Sequence, residues 1–362
     1  MSLMKTRTSL PGVGAAPVAS RARVREVGGV SAHAVFDVRT AYDFAISLSP
    51  DAGGGDELPQ PDRLWLERAR ASLPERLRSL AGTEQAIFAP SLIIDRPDVT
   101  DATSLVAMLR RLEGREFAMA VLAEEHRDRE HGALVAAALD GDDAALARLV
   151  AARADLKGER VERLVREPDA VLGELADLLA AWLPLYREIE ARVRTIIERD
   201  AALRAGDHEA LGTVELVERT TSGIRWLSEP GVRRIVLAPS YLARPYNFVF
   251  AGGDWRLFVY PVADGALERD DPLAPPAAVL RLHRALGDET RLKILRLLVA
   301  RDMYLTELAE RLELSKPTVK HHLAQLRAAG LVTVTESGSM TYYSLRRDRV
   351  DDASSELRRF LS

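Results

Sequence analysis

Six side chains able to donate hydrogen bonds to nucleic acid lie close together near the end of this 362-residue chain. They are Lys316, Lys320, His321, His322, Gln325 and Arg327. Lysine and arginine bind phosphate oxygens, while lysine, glutamine and histidine can also donate to the edges of bases. The chemistry that these residue types indicate is recognition of a polyanion.

The distribution of charge also favours this end of the chain. Residues 277–362 hold 15 Lys and Arg against 11 Asp and Glu, a net charge of +4, whereas the remainder has 35 against 43, a net charge of −8. Only five lysines occur in the chain, and Lys316 and Lys320 stand four residues apart. A preference for arginine explains the scarcity of lysine elsewhere, but it does not explain this pair. A polyanionic partner is therefore expected at the C-terminal part only.

One helix must present these side chains. Ser315 is a suitable N-cap, Pro317 fits the first helical turn, and Gly330 can adopt the left-handed conformation that ends a helix. These signals predict a helix from about Lys316 to Ala329. At about 100° per residue, its inner face consists of Val319, Leu323 and Leu326.

The opposite face of this helix carries small and polar side chains, which would let it enter a DNA major groove. The outward residues are Pro317, Lys320, His321, Ala324, Gln325 and Ala328. Lys316, His322 and Arg327 flank that face, where contact with phosphate is expected. For His322 a second interpretation stays open, in which the ring packs under the following strands and closes a backbone hydrogen bond.

Two helices and two strands surround the predicted recognition helix. Asp288 can cap a helix over Glu289–Ala300, and Thr306 a helix over Glu307–Leu312. Strands are predicted at Leu331–Thr335 and Thr341–Leu345, around the turn residues 337–339. One small core is expected from the apolar residues Leu280, Leu286, Leu292, Ile294, Leu295, Leu298, Leu305, Leu308, Leu312, Val319, Leu323 and Leu326.

This segment resembles the ArsR-type winged helix-turn-helix regulators. The resemblance rests on LGDETRLKILRLL at Leu286–Leu298, on LTELAERLELSKPTVKHHLAQLRAAGLV at Leu305–Val332, and on the two strands of the wing. It implies a homodimer, formed through Ala277–Leu286 and Arg349–Leu361, that binds an inverted-repeat operator in double-stranded DNA. The DNA-binding residues expected on this basis are Thr306, Ser315, Lys316, Pro317, Thr318, Lys320, His321, His322, Gln325, Arg327, Ser339 and Tyr342.

Two departures from the family argue against metal sensing. The chain has no cysteine, so the position of the soft-metal Cys pair reads Tyr304–Glu307, and the last helix, Asp351–Ser362, has no histidine. No metal and no cofactor is therefore expected. A metal site at His126, Glu130 and His131 is the alternative to a solvated helix face. Lys320 also stands where the family often has serine, which should alter base preference.

The remaining chain predicts a mainly α fold with small β elements (α+β). Residues 1–30 form a flexible tail, 31–265 a helical accessory region with a terminal β-hairpin, 266–276 a linker, and 277–362 the winged-helix module. Residues 32–48 begin as a strand and continue as a helix, and residues 61–222 are helical, with a break or kink expected at Pro184 and a separate helix from His208 to Thr221. Strands follow at Arg233–Ala238, Asn247–Phe250 and Trp255–Val262, the last two joined by a Gly252–Asp254 turn.

The accessory region has a weaker resemblance, to an uncharacterised helical region that precedes this module in some ArsR-type regulators. It rests on Phe36–Leu48, Ile235–Ser240 with Pro245, and Leu257–Pro261. The region would sense a non-metal small-molecule effector or extend the dimer. Its tryptophans and tyrosines would either line an apolar pocket or form plain core; they are Trp65, Trp182, Trp226, Trp255, Tyr186, Tyr241, Tyr246 and Tyr260.

The whole chain is thus expected to be a cytoplasmic transcriptional repressor and not an enzyme. No nucleophile elbow, phosphate loop or catalytic triad order is present, no apolar run is long enough to span a membrane, and the absence of cysteine fits a reducing compartment. Two alternatives stay open: an interaction adaptor that the module docks on DNA, and a bifunctional enzyme and regulator.

Overall fold

The computed structural model describes residues 32–53, 57–81, 90–123, 129–152, 158–267, 275–337 and 340–361. Ser339 and His126, both named above, lie outside these ranges. Helices dominate the structure and the strands form two small sheets, which confirms a mainly α fold with small β elements. Within the described ranges, none of the helices combines the length and the apolar character needed to cross a membrane.

The elements are numbered in chain order. The α-helices are α1 (Thr40–Ile46), α2 (Gln60–Ser72), α3 (Glu75–Ala81), α4 (Ala102–Leu109), α5 (Gly114–Ala123), α6 (Arg129–Leu139), α7 (Asp143–Ala152), α8 (Gly158–Arg166), α9 (Pro168–Ala210), α10 (Thr213–Thr220), α11 (Ala277–Leu286), α12 (Glu289–Ala300), α13 (Leu305–Leu312), α14 (Lys316–Ala328) and α15 (Arg347–Leu361). The strands are β1 (His33–Phe36), β2 (Ile224–Trp226), β3 (Arg234–Ser240), β4 (Phe248–Ala251), β5 (Trp255–Pro261), β6 (Met303–Tyr304), β7 (Val332–Ser337) and β8 (Met340–Leu345).

The first sheet has the strand order β1-β3-β5-β4. Strands β1, β3 and β5 are parallel neighbours, and β4 pairs antiparallel with β5 across the predicted Gly252–Asp254 turn. Side chains alternate between its two faces, so Val236 and Leu257 join the main core while Ile235 and Phe258 join a smaller one. The three predicted strands and the strand-then-helix opening are confirmed.

Helix α9 runs for 43 residues and forms the centre of the accessory region. Pro184 lies inside it without ending it, so the expected break is wrong. The fully buried Trp182 and Tyr186 flank the proline, and they donate to Ser47 Oγ (2.7 Å) and Asp43 Oδ2 (2.9 Å). This packing holds the helix through a position where proline removes one backbone hydrogen bond. The separate helix expected over His208–Thr221 is present as α10, but its predicted start is wrong, because α9 continues to Ala210 and α10 begins at Thr213.

Apart from the half-buried Tyr246, the tryptophans and tyrosines named above form core. All four tryptophans are buried, and Trp65 packs against Trp182 with 6.1 Å between the ring centroids. Tyr186, Tyr241 and Tyr260 are fully buried as well. The structure therefore places these rings in the packed interior and favours the plain-core interpretation over an aromatic pocket.

The second sheet combines the wing with a strand from the accessory region. Its order is β2-β7-β8-β6, and β2 runs parallel to β7 with Ile224 opposite Val334. The wing strands β7 and β8 were predicted, but β2 and β6 were not. Both have at most three residues, too few to show the alternation by which a strand is recognised.

The core of the winged-helix module contains most of the predicted residues. Ile294, Leu308, Val319 and Leu326 are fully buried there. Leu280 and Leu292 were expected in this core but are 38% and 48% exposed, so that expectation is wrong for them. These two side chains therefore leave apolar surface on α11 and α12 in the single chain.

Candidate nucleic-acid interface

The recognition helix α14 begins as its sequence predicts. Ser315 is the N-cap, and its Oγ accepts from Thr318 N at 3.3 Å and lies 2.7 Å from Thr318 Oγ1. Gly330 follows the helix with a φ of +74°, as a left-handed cap requires. The start of the helix and the glycine beyond its end are confirmed.

The two faces of α14 also match the helical pattern. Val319, Leu323 and Leu326 are buried, whereas the exposed positions of the candidate site are Ser315, Lys316, Pro317, Thr318, Lys320 and His321. Gln325 is half-buried. The chain therefore exposes Lys320 and His321 on the face expected to enter the major groove, and Lys316 on the flank of that face.

Thr306 does not cap the preceding helix. Helix α13 begins one residue earlier, at Leu305, with Tyr304 in the N-cap position. The Glu307 carboxylate accepts from Tyr304 N at 3.1 Å and pairs with Arg301 at 2.8 Å, and these contacts lower the pKa of Glu307 to about 2. Because Glu307 satisfies the exposed amide, the predicted role of the Thr306 hydroxyl is wrong, and Thr306 lies exposed in the first turn.

His322 packs toward the start of α12. Its Nδ1 lies 3.7 Å from Asp288 Oδ1, and Asp288 itself caps α12 by accepting from Arg291 N at 2.8 Å, as predicted. Burial lowers the pKa of His322, and Asp288 offsets part of that shift. No hydrogen bond to Nδ1 is found among the described residues. Nδ1 therefore does not make the backbone hydrogen bond that was considered for His322.

Arg327 does not lie where the helical pattern placed it. The residue is 7% exposed, and its Nη1 donates to the carbonyl of Thr221 at 3.1 Å. Asn247 Nδ2 donates to the same carbonyl, also at 3.1 Å. Expecting Arg327 on a solvent-facing flank was thus wrong, because the accessory region covers that side of α14.

A second contact reaches the outward face itself. The hydroxyl of Tyr246 lies 3.1 Å from Nδ1 of His321. The contact occupies one ring nitrogen of a side chain that was predicted to face DNA, and the histidine tautomer sets which of the two groups donates. No motif around Tyr246 indicates this role, since the two residues are 75 positions apart.

The wing places Tyr342 against Tyr304. The two hydroxyls are hydrogen-bonded, and the ring centroids lie 4.2 Å apart. Tyr342 is half-buried on β8, at the edge where β6 pairs. The structure brings Tyr342 beside Tyr304, which precedes Thr306 by two residues at the start of α13. DNA contact by Tyr342 or by Thr306 stays a prediction.

Four charged side chains join the accessory region to α11. Arg244 lies 2.6 Å from Asp264, and Arg281 of α11 lies 2.8 Å from Asp264 and 2.9 Å from Glu57. Burial raises the pKa of Asp264, but the two guanidiniums outweigh it and lower the pKa to about 2. This group is named the junction network below. The sequence pattern does not reveal it, because its members come from three distant segments.

A cavity of about 290 Å³ lies beside the junction network. Among the described residues its wall includes apolar side chains, two acids and five arginines, which are Arg204, Arg219, Arg244, Arg281 and Arg327. Arg327 and Ala328 come from the last turn of α14, and the rest come from the accessory region and α11. This junction cavity therefore contacts the recognition helix directly.

The candidate metal residues are only partly described. His131 is buried, and its Nε2 lies 3.0 Å from the carbonyl oxygen of Leu122. In the described ranges, no group of three or more metal-binding side chains is gathered in one place.

Comparison with known proteins finds relatives of the C-terminal module. The family model for "Bacterial regulatory protein, arsR family" matches residues 288–334. The transcriptional repressor SdpR of Bacillus subtilis (strain 168) is 35% identical over 81 residues, which are 22% of this chain and 90% of SdpR. The transcriptional activator HlyU of Vibrio cholerae is 36% identical over 74 residues, 20% of this chain and 68% of HlyU. A solved structure of HlyU covers 24% of this chain and 95% of that one, at 31% identity and a TM-score of 0.20.

Proposed function

This chain belongs to the ArsR family of bacterial regulatory proteins, and on that premise we propose that it is a homodimeric repressor that binds an inverted-repeat operator. The observation that carries the proposal is the exposed face of α14, where Lys316, Lys320 and His321 oppose a fully buried apolar face. Phosphate contacts would supply affinity, and contacts to base edges would supply specificity. Its target, genomic DNA, places the proposed site of action in the cytoplasm.

The relatives support regulation without catalysis. SdpR and HlyU are named for transcriptional control and not for a reaction, so we propose no enzymatic role. One is named a repressor and the other an activator. A reporter gene placed behind the native operator decides whether this chain represses or activates transcription. Lower expression in the presence of the protein is expected.

The exposed apolar residues of the module support a dimer. Leu280 on α11 and Val350 and Phe360 on α15 are each more than a third exposed, and α11 packs against α15. A second copy would bury this surface and set the spacing of two recognition helices. Sedimentation of the full chain at micromolar concentration should give the mass of a dimer, and replacing Phe360 with lysine should shift it toward the monomer.

Selection of genomic DNA by the purified protein tests the proposal as a whole. Fragments that contain an inverted repeat should be enriched, with half-sites about one helical turn apart. Recovery of fragments without a shared motif would contradict sequence-specific binding. The first side chains to test for contact with the selected DNA are Lys316, Lys320, His321 and Gln325.

Lys316 is predicted to bind phosphate. Replacing it with alanine should weaken binding to all sequences alike and lower the slope of log K against log salt by roughly one unit per protomer. Lys293→Ala is the matched control, because Lys293 lies on α12 and pairs with Glu289 at 2.7 Å. An unchanged salt slope in a folded Lys316→Ala protein would reject the phosphate contact.

Transition metals are predicted to leave operator binding unchanged. The two family sites lack cysteine and histidine in this chain. Affinity measured with zinc, nickel or a chelator should vary by less than about twofold, well below the 5- to 150-fold range of allosteric coupling. A tenfold change at micromolar metal would reveal a site elsewhere, and His126 and His131 would then be replaced first.

A further inference from the structure

The junction cavity combines an excess of positive charge with contact to the recognition helix. Its two lining acids, Glu57 and Asp264, are both paired with Arg244 and Arg281 in the junction network. The other three lining arginines come from three different helices, α9, α10 and α14. The lining therefore carries three more arginines than acids.

Those three arginines have distinct surroundings. Arg204 donates through Nε to Asp200 at 2.9 Å and lies 4.9 Å above the Tyr260 ring. Arg219 approaches Asp207 most closely through Nε, at 3.0 Å, and Arg327 donates through Nη1 to the Thr221 carbonyl. Asp200 and Asp207 pair with Arg204 and Arg219, and neither acid is among the described residues that line the cavity. A guanidinium approached through Nε, as in Arg204 and Arg219, can still present its terminal nitrogens to an oxyanion.

We infer that the junction cavity binds a small organic anion, whose carboxylate or phosphate head would contact Arg219 and Arg327. The inference rests on the proposed function and gives its ligand a chemical class. At roughly 30 Å³ per water, the cavity has room for about ten non-hydrogen atoms. Val262, Ala263 and Ala328 supply an apolar part of the wall, which suits a short apolar body.

The position of the cavity also indicates whether a bound anion would raise or lower the affinity for operator DNA. An anion that bridges Arg219 of α10 and Arg327 of α14 would hold the accessory region against the recognition helix. In that arrangement Tyr246 contacts His321, on the face that meets DNA. The anion would therefore lower operator affinity, by a factor in the 5- to 150-fold range of typical coupling, and operator DNA would weaken anion binding by the same factor.

Anion binding is tested first, without DNA, by isothermal titration calorimetry of the full chain. The probes are inorganic phosphate, succinate and benzoate, with benzamide as the neutral counterpart of benzoate and sodium chloride to match ionic strength. At least one oxyanion should bind saturably, once per chain, while benzamide and chloride should not. Binding of phosphate alone or of a carboxylate alone supports the site and identifies its head group.

Variants locate the binding. Arg219→Gln and Arg327→Gln should each weaken the anion at least tenfold, whereas Arg148→Gln, on the exposed face of α7, should bind as the natural chain does. Circular dichroism checks that each variant folds. Arg219→Gln is the less disruptive of the two substitutions, because the Arg219 side chain is 61% exposed. Absence of binding by every oxyanion, or equal binding by Arg219→Gln, overturns the inference.

A second arm measures operator DNA affinity with and without the anion that binds. The natural chain should lose affinity when the anion is added, and the Arg219→Gln chain should not respond to it. An anion that binds without changing operator affinity overturns the coupling. Because calorimetry needs no DNA, a chain that binds the anion but selects no operator would count against the proposed function and not against the site.

Discussion

Replacing Arg244 with methionine is expected to lower the free energy of unfolding by about 3 kcal/mol, the loss typical of breaking a buried ion pair. Arg244 is 3% exposed, and it donates to Asp264 at 2.6 Å and to the Val262 carbonyl at 2.7 Å. Methionine keeps much of the length of the side chain, so the change removes charge and hydrogen bonds more than volume. Urea denaturation of the full chain measures the effect.

A surface ion pair provides the matched control. Arg166 lies 3.0 Å from Asp143, but both side chains are more than half exposed. Arg166→Met should therefore cost less than about 1 kcal/mol. If Arg244→Met costs no more than this control, the junction network does not stabilise the fold.

The acid side of the stability profile tests the same network. Asp264 has a folded-state pKa of about 2, below its unfolded value of roughly 3.9, because Arg244 and Arg281 outweigh the effect of burial. The contribution of Asp264 to the free energy of unfolding is fully present above about pH 4 and is lost as the pH falls toward 2. In Arg244→Met the folded-state pKa should lie nearer the unfolded value, so stability should fall less steeply between pH 4 and 2. An identical slope in both proteins would contradict the assignment.

Lys320→Ala is expected to relax operator specificity at one position by about 1–3 kcal/mol, the worth of a good contact to a base edge. Lys320 is exposed on the outward face of α14, one turn after Lys316. Selection from a library with each operator position randomised should show the preference lost at one base pair per half-site. The other positions should keep theirs.

The control for Lys320 is again Lys293→Ala, which removes a lysine from a different helix. If Lys320→Ala instead weakens all sequences alike and reduces the salt dependence, Lys320 binds phosphate and does not read a base. That outcome would move sequence recognition to His321 and Gln325.

Local signals account for what could be predicted of the candidate interface. Ser315, Asp288 and Gly330 act on backbone groups within a few residues, so their roles as two N-caps and a left-handed residue follow from the sequence. Thr306 shows the limit of such signals. Two capping groups competed there, and the carboxylate of Glu307, supported by Arg301, satisfied the amide of Tyr304.

Distance along the chain accounts for what was missed. The helical pattern of α14 separates its apolar face from its polar side. It contains no information about Thr221, 106 residues away, whose carbonyl accepts a hydrogen bond from the buried Arg327. The same holds for Leu280 and Leu292, whose exposure depends on which neighbours each helix meets. Pro184 stays within a helix for a related reason, since the packing of Trp182 and Tyr186 was not visible in the residues themselves.

The sequence by itself determined the winged helix-turn-helix, the orientation of its recognition helix and the basic character of its outward face. These follow from the period of apolar residues and from capping, which act over a few residues. Only the tertiary structure decided that β2 completes the wing sheet, that Tyr246 reaches His321, and that five arginines line one cavity beside α14. Each of these joins segments far apart in the chain, and their meeting depends on how the accessory region packs as a whole.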